Sequence, residues 1–181
     1  MNLTLSTLLV GLILLGLGFL LLVSNSAITS MFKALPRSQA AAIVFFGAGA
    51  AWFIYNVSNM SAADVIGFSS PTPFVVLFAA LAVLSFIYLP EFLAVRGLSV
   101  VTLVGSWPLL MSAYGRYDLP QRLCMVSALY VAISAAIYLG ASPFRLRDFF
   151  EWLYRTPTRA RVLGATLSAY GLLLAGIAFT Y

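Results

Sequence analysis

Six runs of apolar residues divide this chain, with short polar connections between them. The runs cover about 3–23, 39–57, 73–89, 90–114, 122–140 and 160–181. Each is close to the roughly 20 apolar residues that carry a helix across the hydrocarbon core of a bilayer. The pattern predicts an all-α, polytopic membrane helix bundle of about six transmembrane helices, with 1–181 as a single integral membrane domain. Composition supports it: 62% of the residues are hydrophobic and 8% charged, about a third of the charge of an ordinary soluble domain. The first run is preceded by Met1 and Asn2 with no basic residue, which predicts a retained span rather than a cleaved signal peptide.

Two connections follow a different rhythm. In the fifth, Leu146, Phe149, Phe150 and Leu153 recur at i, i+3, i+4 and i+7, with Arg147, Asp148, Glu151 and Arg155 opposite. This spacing predicts an amphipathic helix over about 143–155. Ser142 is expected to cap it, Pro143 to sit in its first turn and Thr156-Pro157 to end it. Arg147–Glu151 and Glu151–Arg155 are i, i+4 pairs of opposite sign, each expected to contribute a few tenths of a kcal/mol. Trp152 and Tyr154 fall between the faces, where such rings suit the headgroup layer. Connection one repeats the device with Ile28, Met31, Phe32 and Leu35, with Ser26 as the expected cap and Pro36 as the stop. Both segments read as short helices lying in the membrane interface.

Charge orients the chain. Connections one, three and five hold Lys33, Arg37, Arg96, Arg145, Arg147, Arg155, Arg159 and Arg161, whereas two and four hold only Arg116 and Arg122. Basic residues are retained on the cytoplasmic side, so the odd connections are expected there and both termini outside. The net charge of +5 is thereby accounted for without nucleic acid. Arg145, Arg147, Arg155, Arg159, Arg161 and Trp152 form a candidate docking surface for anionic lipids of the cytoplasmic leaflet, or for a membrane-protein partner.

The two ends of the chain echo each other. Both the GAGAA stretch at 47–51 and the series Gly164, Ser168, Gly171, Ala175 place small residues at close-packing intervals after a proline and an arginine. The segment of about 140–181, echoed at about 15–55, resembles the YjeT-like small bacterial inner-membrane proteins. The likeness rests on Pro143, Arg147, Pro157, Arg161, Gly164 and Gly171-Leu172. It implies a bacterial inner (plasma) membrane and carries over no catalytic residues.

Candidate chemistry is sparse. The chain has no histidine and one cysteine, Cys124, so the usual ligands for haem, zinc and iron–sulfur clusters are missing and no cofactor is expected. Cys124 reads as a packing residue. Of the acidic residues, Asp64, Asp118, Asp148 and Glu151 fall in connections, and Glu91 pairs with Arg96 as a candidate ion pair at the start of the fourth run. Ser99, Thr102 and Ser106 share one side of that run beside Gly105, a candidate polar seam, with Pro108 expected to kink or end the helix. Asn2, Asn56 and Asn59 each open an N-x-S/T triplet. These features point first to a non-catalytic accessory or scaffold subunit of a membrane assembly. A small transporter or channel for an apolar or lipid-like solute, using the seam, comes second, and a lipid head-group enzyme using Glu91, Asp148 and the arginines third.

Overall fold

The computed structural model describes residues 2–61, 64–65 and 70–181, and the described residues are helical with no strand. The helices are α1 Leu3–Val23, α2 Ser26–Ala34, α3 Gln39–Ser58, α4 Thr72–Tyr88, α5 Leu93–Ala113, α6 Arg122–Ala141, α7 Phe144–Leu153 and α8 Pro157–Ala178. Five of them, α1, α3, α5, α6 and α8, are long and apolar enough to cross a membrane. The apolar α4 has 17 residues, about 25 Å at 1.5 Å per residue.

The sequence-predicted boundaries agree to within a few residues, and the departures have local causes. The fourth run begins its helix at Leu93 rather than Pro90, because Phe92 adopts a left-handed backbone (φ 57°) that breaks the helical path after α4. Pro108 does not end α5, which continues to Ala113. Its lost N–H is one of the defects that apolar spans absorb when neighbouring groups compensate. The cap of α2 is Asn25, whose Oδ1 accepts from the Ile28 N–H at 2.8 Å, rather than Ser26. Helix α7 stops at Leu153, short of Arg155.

The chain forms two compact units. The first comprises Met1–Ala34, Gly105–Ala135 and Arg147–Tyr181. Its backbone is an antiparallel pair, α1 against α8. A methyl group added at Gly171 would lie 2.7 Å from the Gly11 carbonyl oxygen, and one at Gly164 would lie 2.8 Å from that of Gly18. Bare Cα atoms therefore let the two backbones touch. The pairs are seven residues apart on both helices, the repeat that keeps one seam facing a partner along a shallow supercoil. Leu3, Val10, Leu174, Ala113, Met125 and Leu129 form the core around this pair. Thr7 is buried there, its hydroxyl donating to the Leu3 carbonyl at 3.0 Å with Met125 Sδ at 3.4 Å. Tyr170 of α8 donates to the Cys124 carbonyl at 2.8 Å, and half-buried Cys124 packs on the same core. Arg122 donates to the Ala113 carbonyl at the end of α5 and stacks on Tyr117 at 4.8 Å.

The second unit comprises Leu35–Val104 and Ala136–Leu146. Ser38 caps α3 through the Ala41 N–H at 3.2 Å. Gly97 of α5 meets the backbone of Phe46, and Gly49 of α3 faces Val100 and Val101. Helices α3 and α4 join through edge-to-face rings, Phe46 with Phe86 (5.2 Å) and Phe53 with Phe78 (4.9 Å). Such pairs add about 1 kcal/mol beyond the area they bury.

Replacing Gly171 or Gly164 with Val is expected to force the α1–α8 backbones apart and to destabilise the protein by about 2 kcal/mol, the cost of overpacking. Gly176→Ala, where an added methyl meets nothing within 4 Å, should be neutral. Thermal unfolding in mild detergent checks both expectations.

Candidate functional site

The most developed surface feature is the corner where α7 turns into α8. Leu146, Phe150 and Leu153 bury the apolar face of α7, while Phe149 and Trp152 stay exposed. Phe150 meets Phe32 of α2 at 5.3 Å between ring centroids, and Tyr154 lies 6.2 Å from Phe32 and 6.5 Å from Phe150. The two amphipathic helices are thus joined by aromatic rings. The Tyr154 hydroxyl is buried with no hydrogen-bond partner among the described residues, and burial pushes its phenol above the usual range.

The chain leaves α7 through Arg155 and Thr156 and re-enters helix at Pro157, where a missing N–H costs nothing. Arg159 then reaches back. Its guanidinium sits 4.7 Å above the Trp152 ring and donates to the Trp152 carbonyl at 3.1 Å. That carbonyl belongs to the last turn of α7, where no intrahelical donor is available, so Arg159 both satisfies it and fixes the corner. Beneath this contact lies a groove of about 460 Å³, lined mainly by Phe149, Trp152, Leu153, Arg159, Val162 and Leu163.

The acidic residues of α7 are spent locally. Asp148 accepts from Arg147 Nη2 at 2.8 Å and Nε at 3.0 Å, and Glu151 lies 3.9 Å from Arg147 Nε. The Asp148 hydrogen bond and charge, with Glu151 behind them, raise the Arg147 pKa. These are the ion pairs among the described residues. The expected Glu151–Arg155 pair does not form, since Arg155 has already left the helix. Arg145 stacks on its neighbour Phe144 at 5.4 Å. Arg155, Arg159 and Arg161 are therefore positive charges with no acidic partner among the described residues.

The other sequence-predicted residues are not drawn into a site. Glu91 and Arg96 make no ion pair: Glu91 is exposed in the turn before α5, and Arg96 is half-buried inside the helix. What Phe92 does hold is Arg37, 5.6 Å from its ring. In the seam, buried Ser99 donates to the Val95 carbonyl at 3.1 Å and Thr102 to that of Leu98 at 2.8 Å, both in their own helix, while Ser106 is buried one turn on. Gly140 of α6 packs against the Ser99 side chain. Among the described residues, no three His, Cys, Asp or Glu side chains gather in one place.

A second groove, of about 650 Å³, lies where Phe53, Asn56, Val57 and Met60 of the α3 end face Phe74 and Phe78 of α4, with Asp64 at its edge. The Ser61 hydroxyl (2.7 Å) and N–H (3.0 Å) both donate to Asp64 Oδ2 and hold its carboxyl below the usual range.

No family model, curated protein or solved structure matches this chain.

A depressed folded-state pKa means that the Ser61–Asp64 turn is stabilised above the ordinary carboxylate pKa and loses that stabilisation as pH falls through the lowered value. Hydrogen exchange at the Ser61 amide should accordingly lose protection in acid, beyond the intrinsic pH dependence of exchange, and Asp64→Asn should abolish the effect. A wild-type profile indistinguishable from that of the variant would refute it.

Proposed function

We propose that this protein is a six-span, non-catalytic subunit of a membrane assembly, with both termini outside and with α4 as the helix that meets a partner. The observation that carries this reading is the one-sided packing of α4. Its aromatic face meets α3, and none of its residues is buried. On the free face Val76 (62% exposed), Ala80, Val83 (60%) and Ile87 (63%) repeat at four, three and four residues. That is the seam of a coiled-coil-like contact, with β-branched residues suited to interdigitation. At about 25 Å the helix is also shorter than the roughly 30 Å core of a bilayer, and a short span relieves mismatch by associating with others.

The span count has independent support. Helices α1 and α8 pair antiparallel through Gly11–Gly171 and Gly18–Gly164. If both cross the membrane, they do so in opposite directions, and the total number of crossings is even. Five long helices alone do not satisfy that parity, whereas five plus α4 do. The excess of arginine and lysine in the odd connections then favours an outside location for the ends. The resemblance of the α7–α8 region to the YjeT-like proteins favours a bacterial inner membrane.

Two experiments test this. Single cysteines placed in a Cys124→Ala background should divide by side: Thr156→Cys should react with an impermeant maleimide only from the cytoplasmic face, and Tyr117→Cys only from outside. Labelling of both from one face would sink the topology. For the partner, tagged protein purified gently from its native membrane should carry a stoichiometric protein. Val76→Trp with Val83→Trp should release it by at least about tenfold while the subunit remains monodisperse. A protein that purifies without any such companion would sink the subunit reading.

A further inference from the structure

The groove at the α7–α8 corner has the make-up of a lipid site. Its α8 wall runs from Thr158 to Thr166, about 12 Å along the helix axis. The polar end carries Thr158 and Arg159. Deeper in, Val162 and Leu163 are apolar, and the Thr166 hydroxyl is turned to the carbonyls of Val162 (2.7 Å) and Leu163 (3.1 Å), which leaves its methyl group for packing. Phe149 and Trp152 form the opposite wall, their rings stacked 6.1 Å apart. The volume of about 460 Å³ falls within the range of small-molecule sites.

Charge names the occupant. With Asp148 and Glu151 both committed to Arg147, Arg159 stands at the polar end of this apolar groove with no acidic partner among the described residues. Arg159 uses one of its five N–H groups on the Trp152 carbonyl, and the rest remain to donate to an acceptor. The positive end of the α8 dipole lies at the same level. A neutral or acidic peptide would match one end of such a groove but not both. A molecule with a phosphate at one end and a hydrocarbon chain at the other matches the whole of it. We propose that this groove binds one anionic phospholipid, its phosphate against Arg159 and an acyl chain along Val162, Leu163 and Thr166, against the rings of α7. The lipid site is separate from the partner surface, which belongs to α4.

The test uses full-length protein in nanodiscs of phosphatidylcholine with a minor fraction of phosphatidylglycerol. Lipid retained after transfer to mild detergent is counted by native mass spectrometry. Wild type should keep one phosphatidylglycerol in preference to phosphatidylcholine. Arg159→Gln should lower that retention about fivefold or more. Val162→Trp, at an exposed position, should lower it by a similar factor by filling the groove with every charge in place. Arg161→Gln, whose side chain does not line the groove, should change it less than twofold. Equal loss in Arg159→Gln and Arg161→Gln would mean a diffuse basic surface and overturn the proposal. So would unchanged retention in Val162→Trp, or a stoichiometric protein from the native membrane that Val162→Trp displaces. Thermal melts of the variants in detergent separate a lost site from a lost fold, and Val162→Trp decides between site and no site should Arg159→Gln loosen the corner.

Discussion

Apolar side chains gain nothing in a bilayer by exchanging lipid tails for one another, because the tails are as apolar as they are. What remains to hold spans together is close contact, and the shortest distance between two helices is set by the atom on each Cα. The antiparallel α1–α8 pair is built on that constraint. Gly11, Gly18, Gly164 and Gly171 remove the Cβ atoms at two levels one heptad apart, so dispersion acts between the backbones themselves. The core of Leu3, Val10, Met125 and Leu174 gathers around a contact that these four positions permit. Gly97 against Phe46 does the same for α3 and α5 within the other unit.

Polar groups then have to be satisfied without opening this packing, and the chain does so almost entirely at short range. Ser99 and Thr102 return their protons to carbonyls one turn back, as Ser6 and Thr7 do in α1. Hydroxyls bonded within their own helix let a span carry Ser and Thr without breaking its apolar packing. Exposed side chains without such bonds remain on α4 and at the α7–α8 corner.

Much of the fold was legible because spans and interfacial helices announce themselves by period and length. The limits of α1, α3 and α6 fall within one residue of the apolar runs, and α7 buries three of the four residues its spacing marks, Leu146, Phe150 and Leu153. Legibility failed where a single backbone angle or a pairing across the chain decided the outcome. Phe92 turns left-handed with no glycine or asparagine to signal it, and the helix start moves past Glu91, taking the expected ion pair with it. The close-packing residues of α8 were visible, but their partners Gly11 and Gly18 were not, since spacing names a face and not its neighbour. At the corner the arginines could be read from the sequence. The Arg147–Glu151 pair could be read from its spacing too; that Arg155 lacks the same partner could not be, because it depends on where α7 stops.

That stopping point links the scaffold to the surface. Had α7 run on through Arg155, Glu151 would face a second arginine at i+4, and one positive charge would leave the corner. By ending at Leu153, the helix exposes the Trp152 carbonyl that recruits Arg159. Arg159 in turn is carried by the helix whose glycines lock it to α1 at two levels one heptad apart. Its backbone is therefore held by the most closely packed contact of its unit, while its side chain faces the groove. A phosphate bound there would meet a guanidinium already oriented by a ring and a carbonyl, so that little side-chain freedom is left to lose on binding.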